Sequence, residues 1–274
     1  MRWTFLAAWL ALLPAGAAGA AAATAPTPAV LSGLAGGKVG ICDDAAEWPP
    51  YVYYRRAAGK KTAEVRGNSL NVVAAIFARH GIGYDIKLLP WKRCLQEVAG
   101  GAQYQMLLSA SSNPERRAAY HLSRPYYQTH YHYFYSRRAH PQGLDVRRAA
   151  DLNRYALGGI YGYAYSLLGT VDKKAMTRTG NYVSLVKMLH LGRFDVFAED
   201  IEVIEGMSKL GVYDFAGDAE LAHAPLPGVE PNAFHMMFTK ASPAGAALKA
   251  LIDRELVLME KSGELQKLLG APMQ

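Results

Sequence analysis

Residues 106–127 run Met-Leu-Leu-Ser-Ala-Ser-Ser-Asn-Pro-Glu-Arg-Arg-Ala-Ala-Tyr-His-Leu-Ser-Arg-Pro-Tyr-Tyr, and this stretch constrains the fold more than any other. Met106, Leu107 and Leu108 form a short apolar run suited to a buried parallel strand. The serines that follow carry no apolar pattern. Asn113 suits a helix cap and Pro114 a first helical position. The order strand, turn, helix start and second strand places hydroxyls and free N–H groups at the carboxyl end of a strand. Open α/β sheets bind ligands there, and a helix start favours an anion. Arg116 falls within that first turn, where a guanidinium can grip a carboxylate with two parallel hydrogen bonds. A solvated Glu115–Arg116 pair is the plainer alternative, because charged residues are mostly exposed.

The 274 residues are enough for one large domain or two lobes, and 51% hydrophobic with 19% charged is an ordinary globular balance. The net charge of +7 is scattered, in pairs such as Lys60-Lys61 and Arg137-Arg138. A nucleic-acid-binding tail is therefore not expected.

The amino terminus has the pattern of a secretory signal: Arg2, an apolar run from Trp3 to Leu13, Pro14, then small residues. That run is too short to span a bilayer. The expectation is a signal peptide over 1–23, a flexible lead-in over 24–36, and a soluble periplasmic protein. No cysteine follows the apolar run to carry a lipid anchor. The two cysteines, Cys42 and Cys94, form an even pair in an exported chain. This suggests a disulfide, with two buried thiols as the alternative.

Along the chain, residues 37–41 read as a first strand, followed by the loop Asp43-Asp44-Ala45-Ala46-Glu47-Trp48-Pro49-Pro50-Tyr51. Its three acids could select a basic ligand side chain. Helical spacing covers 69–79, with Leu70, Val73, Ile76 and Phe77 on one face. Strand alternation covers 84–88, and a helix follows Pro90-Trp91. Residues 126–135 read as a strand rich in aromatics. His130 and His132 share a strand face there, but the other histidines are too scattered for a metal site. A second α/β unit follows, with a strand at 155–161, a turn at 162–165 leading into a helix, and another helix at 182–191. Asp195 is expected to tie its strand to neighbours, and Asp200 is well suited to cap a helix over 201–209. A strand at 233–239 and two terminal helices complete the chain.

Two motifs resemble family 3 of the periplasmic solute-binding proteins, the polar amino-acid receptors of ABC importers. One is Ser109-x-Ser111-x-x-Pro114-Glu115-Arg116 with Leu122-Ser123-Arg124-Pro125-Tyr126-Tyr127. The other is Gly192-Arg193-Phe194-Asp195 with Asp200. The resemblance covers about residues 37–270. It implies a type II periplasmic binding protein fold: two α/β lobes with central mixed sheets, joined by a first crossing strand at 126–135, with Tyr126 and Tyr127 near the cleft, and a return crossing strand at 233–239, with the ligand cleft between the lobes. Lobe one would be 37–136 plus 233–274, and lobe two 137–232. It further implies that Ser109, Ser111 and Arg116 hold a ligand's α-carboxylate and that Asp200 holds its α-ammonium. Trp48 and Tyr51 match aromatics that pack on the ligand. Gly162-Tyr163 stands where the family has Gly-Thr or Gly-Ser, so backbone N–H groups at a helix start would remain there while the hydroxyl is lost. The family's Gly-aromatic-Asp-x-Asp run is replaced by Gly67-Asn68-Ser69-Leu70-Asn71.

A zwitterion needs a cation and an anion at fixed separation, and a ligand that bridges Arg116 and Asp200 would bias an open–closed equilibrium. The expected function is therefore capture of a polar amino acid, or a similar small zwitterion, by hinge closure. The partner would be an ABC permease in the inner membrane. The chain would be a monomer with no cofactor, no metal and no nucleic-acid partner. A cyclic-carboxylate dehydratase on the same scaffold, using Glu199, His130 or Glu47 as acid or base, and a sensor without transport are the alternatives.

Overall fold

A computed structural model describes residues 37–273; the expected signal peptide and lead-in lie outside the described residues. Two mixed sheets organise the chain. The first has six strands: β1 (Lys38–Asp44), β4 (Gly83–Leu89), β5 (Met106–Ser111), β6 (Tyr120–Leu122), β7 (Tyr127–Thr129) and β13 (Asn232–Thr239). They run in the order β4-β1-β5-β13-β6, with β7 also on β13. β1 pairs parallel with β4 and β5, whereas β13 is antiparallel to its neighbours. The apolar run of residues 106–108 is fully buried in the middle of this sheet, as its lack of alternation requires. Helix α1 (Asn68–Arg79) buries Leu70, Val73, Ile76 and Phe77, and α2 (Trp91–Gly100) buries Trp91, Cys94 and Val98.

The second sheet has five strands in the order β10-β9-β11-β8-β12: β8 (Tyr131–Ser136), β9 (Leu157–Ile160), β10 (Thr177–Thr179), β11 (Val196–Asp200) and β12 (Leu221–Pro225). Helix α4 (Tyr182–His190) begins at Asn181, whose side chain accepts from the Ser184 N–H, and α5 (Ile201–Lys209) follows β11 directly. The short α3 (Pro114–Ala119) and the carboxyl-terminal α6 (Pro243–Ser262) and α7 (Glu264–Leu269) complete the helices. The chain passes from one sheet to the other at His130, between β7 and β8, and returns into β13. The single crossing strand expected over 126–135 is thus two strands in two different sheets, and residues 131–136, expected in lobe one, lie in the second sheet.

The spacing gave no sign of the exposed ribbon of β2 (Tyr53–Ala57) and β3 (Lys60–Arg66). Most of its residues are polar or charged, and Glu47 anchors it by accepting from Arg56 and from the Tyr54 N–H and by pairing with Lys61. Glu47 is therefore committed to its own lobe and does not select a ligand.

Cys42 and Cys94 are bridged, with Cα atoms 5.7 Å apart, tying β1 to α2. In the chain-entropy picture such a loop contributes about 4 kcal/mol. A Cys42→Ala, Cys94→Ala variant should melt roughly 10 °C lower in a calorimetric scan; an unchanged midpoint would show that the bridge adds nothing to the packing around it.

The lobes approach closely at several places. Pro49 approaches Gly206 of α5 so closely that a Cβ there would lie 2.6 Å from the Pro49 carbonyl oxygen. Gly162, at φ +83°, lets the Trp91 ring come close; a Cβ would stand 3.2 Å from its Cδ1. Trp48 and Tyr163 meet edge to face with centroids 5.6 Å apart.

Candidate functional site

Between the sheets lies a cleft whose empty space, open mouth included, is about 430 Å³. The first lobe contributes Asp43, Asp44, Trp48, Trp91, Ser109, Ala110, Ser111 and Arg116 to its lining, and the second lobe Tyr131, Tyr163, Ala164, Tyr165 and Asp200. Asn232 and Phe234 of the return strand also face it.

Arg116 is placed by local chemistry. The Asn113 side chain accepts from the Arg116 N–H at 2.7 Å, and Pro114 opens the helix. The guanidinium folds back onto the end of β5, where Nη1 donates to the Ser111 carbonyl (2.9 Å) and hydroxyl (3.1 Å). It also lies over the Trp91 ring at 5.5 Å. Arg116 is 7% exposed, and among the described residues no carboxylate pairs with it, Glu115 included. Burial accordingly pulls its pKa down. A guanidinium held among neutral groups and facing a cavity is short of an anion.

Asp200 is the counterpart. It stands at the N-cap position of α5, yet its side chain makes no capping bond. One oxygen, Oδ1, instead accepts from the Thr129 hydroxyl and from Asn232 Nδ2. Thr129 and Asn232 are paired in register on β7 and β13, so the link between lobes orients the carboxylate. Among the described residues no cation pairs with Asp200, and burial pushes its pKa up to about 7. Neither Thr129 nor Asn232 carried a sequence signal, because their role depends on strand register.

The remaining expected residues divide. Trp48 lines the cavity, with Nε1 donating to the Tyr127 hydroxyl at 3.1 Å. Ser109 lines it too; its N–H donates to Asp43, and its hydroxyl lies 3.5 Å from that of Ser69. Tyr51 does not face the cavity. It stacks on Tyr127 at 3.8 Å, and Tyr127 stacks on Phe234 at 4.8 Å, so Tyr51 supports the wall rather than forming it. Gly162 is likewise outside the lining and provides clearance for Trp91.

The turn at 162–165 does not open a helix; only a three-residue 3₁₀ turn, Ser166–Leu168, follows. Tyr165 adopts a left-handed conformation at φ 47°. This carries its phenol back inside, where it accepts from the Ile160 N–H (2.8 Å) and donates to Glu199 (2.6 Å). The helix-start N–H groups expected here are therefore absent. In their place Arg178 of β10 clamps the turn, donating to the carbonyls of Ile160 (2.9 Å) and Tyr163 (3.1 Å) and covering the Tyr165 ring at 5.4 Å.

Asp43 is structural: its carboxylate accepts from the backbone N–H groups of Asp44, Leu108 and Ser109, locking β1 to β5. The proposed general acids and bases do not face the cavity. Glu199 is buried among the phenols of Tyr165 and Tyr182, His130 is exposed and pairs with Glu202, and Glu47 is held as described. Asp195 accepts from the Ala156 N–H at 2.8 Å and ties its segment to the start of β9.

Residues 38–270 match the family model of bacterial extracellular solute-binding proteins, family 3. The chain belongs to that family. No curated protein matches its sequence. Among solved structures it is similar to the amino acid ABC transporter substrate-binding protein AbpA from Streptococcus pneumoniae, bound to L-arginine (18% identity, 88% of this chain and 95% of that one, TM-score 0.69). It is also similar to EhuB in complex with hydroxyectoine (21% identity, 85% and 87% covered, TM-score 0.69). A histidine kinase sensor domain aligns as well (14% identity, 84% and 93% covered, TM-score 0.67). These likenesses establish the two-lobed, type II periplasmic binding protein fold of this family member.

Proposed function

We propose that this solute-binding protein captures a small amino acid as its zwitterion between the lobes, outside the cytoplasm, and delivers it to an ABC importer. One observation carries the reading. A buried guanidinium and a buried carboxylate that find no counter-ion among the described residues, Arg116 and Asp200, line one cavity from opposite lobes. A ligand carrying both charges neutralises both. It makes the two contacts together only when the lobes are closed, so binding favours the closed state. Trp48, Trp91 and Phe234 offer ring faces for the ligand's body. EhuB holds hydroxyectoine and AbpA holds L-arginine on this fold, in keeping with a small charged solute.

A thermal-shift screen of the mature protein against the twenty amino acids and ectoine-like zwitterions tests it. A ligand at about 100 times its Kd adds roughly 2.7 kcal/mol, a shift of at least about 5 °C at this size. Stabilisation by zwitterions alone supports the clamp. A response confined to ligands lacking either charge would overturn it. A sensor role on the same clamp is the second reading, favoured by the likeness to a histidine kinase sensor domain.

A further inference from the structure

The site's acids are not equally free to meet a ligand. Asp43 and Glu47 are consumed within the first lobe. Asp44 sits at the cavity wall at the end of β1, where a second ligand cation would find it, but both of its oxygens are occupied. Oδ1 accepts from the Ala46 N–H at 2.9 Å, and Oδ2 accepts from the Tyr163 hydroxyl at 2.8 Å. That second bond crosses the cleft. The phenol is braced on three sides: its ring meets Trp48 edge to face, its hydroxyl accepts from Tyr182 at 3.4 Å, and its own carbonyl is held by Arg178.

We infer that Tyr163 is the specificity-determining residue of the cleft: by covering Asp44 it leaves Asp200 as the one cavity acid open to a ligand cation, and it thereby excludes dibasic ligands. This rests on the zwitterion reading above. A ligand with one ammonium is satisfied by Asp200. A ligand with a second cationic end would have to displace a braced phenol, or leave that charge desolvated beside a tyrosine ring, and buried polar sites reject partners that leave groups unpaired.

The experiment is calorimetric titration of wild type, Tyr163→Ala, and Tyr163→Ala with Asp44→Asn, each with L-glutamine, L-serine, L-arginine and L-lysine. Wild type is expected to bind a neutral amino acid at least tenfold tighter than arginine or lysine. Tyr163→Ala should bring arginine or lysine affinity up at least tenfold relative to the neutral ligand, and adding Asp44→Asn should remove that gain. Tyr163→Leu, which keeps an apolar contact with Trp48 but ends short of Asp44, serves the same arm if the alanine variant does not fold. The inference is overturned if wild type prefers arginine or lysine, if the ratio is unchanged in both Tyr163 variants, or if the gain survives Asp44→Asn. No binding of any amino acid to folded wild type, or full binding in Arg116→Ala, would instead remove the zwitterion reading and this inference with it.

Discussion

Replacing Arg116 by alanine should cut the affinity for an amino-acid ligand at least a hundredfold while leaving the empty protein no less stable than wild type. The two effects have one cause. The guanidinium is buried, with the Ser111 carbonyl and hydroxyl as its hydrogen-bond partners, and among the described residues no carboxylate compensates its charge. Removing it relieves a desolvation penalty that offsets the lost hydrogen bonds and the contact with Trp91. In the complex the same residue would pair with a carboxylate out of water, and truncating one side of such a pair costs about 2–5 kcal/mol or more. Asp200→Asn should behave in parallel, since an amide oxygen can still accept from Thr129 and Asn232 but carries no charge for an ammonium. Titration calorimetry with the screened ligand, beside melting curves of the empty variants, checks both. Retained affinity in Arg116→Ala would place the carboxylate elsewhere. A large loss of stability without ligand would make Arg116 a structural residue.

Acidification should move stability and binding in opposite directions. Burial raises Asp43 and Asp200 to about 7 and Asp44 to about 6, and carries Glu199 well above its ordinary range. Between pH 4 and 7 the folded chain therefore holds protons that the unfolded chain has released. Their contribution to stability is complete below the unfolded carboxylate range and is lost as pH rises through 6 to 7. The empty protein should melt roughly 5–10 °C higher near pH 5 than near pH 8, on the order of 3 kcal/mol. His121 and His132, lowered by burial, oppose this trend. Glu47, Asp218 and Glu255, held low by their partners despite burial, act only as pH falls into the acid range, so the comparison stays above about pH 5. Ligand binding runs the other way. An ammonium needs Asp200 ionised, so affinity should fall by up to about tenfold for each pH unit below about 7. A melting point that is flat or falls on acidification would mean that these carboxylates are charged in the folded state. An affinity indifferent to pH would take the ammonium away from Asp200.

The amino-acid sequence by itself determined the local geometry of the first lobe's candidate corner and the class of fold. The run of Met106, Leu107 and Leu108 is buried in mid-sheet, Asn113 caps as its type suggests, and Arg116 follows three residues later. These are local events, set by side chains that act within one turn of their own backbone. The cysteine pair was legible for a similar reason: an expected export signal and an even number point to a bridge whatever the rest of the fold does. The second lobe's loop was not legible. Nothing local distinguishes Gly162-Tyr163-Ala164-Tyr165 as a helix entry from what it is, a turn with Tyr165 in a left-handed conformation whose phenol is drawn inward to Glu199. The partner 34 residues away and the clamp from Arg178 decided that.

Only the tertiary structure decided how the acids are used. Asp43, Asp44 and Glu47 look alike in sequence, yet Asp43 becomes a strand lock, Glu47 the anchor of a hairpin, and Asp44 the acceptor for a tyrosine from the other lobe. Asp200 looked equally ready to cap a helix, and strand register turned it instead toward Thr129 and Asn232. The physical reason is that a carboxylate's role follows from which donors reach its oxygens. The deciding donors come from residues as far as 65 to 119 positions away, distances over which pattern and propensity carry no information.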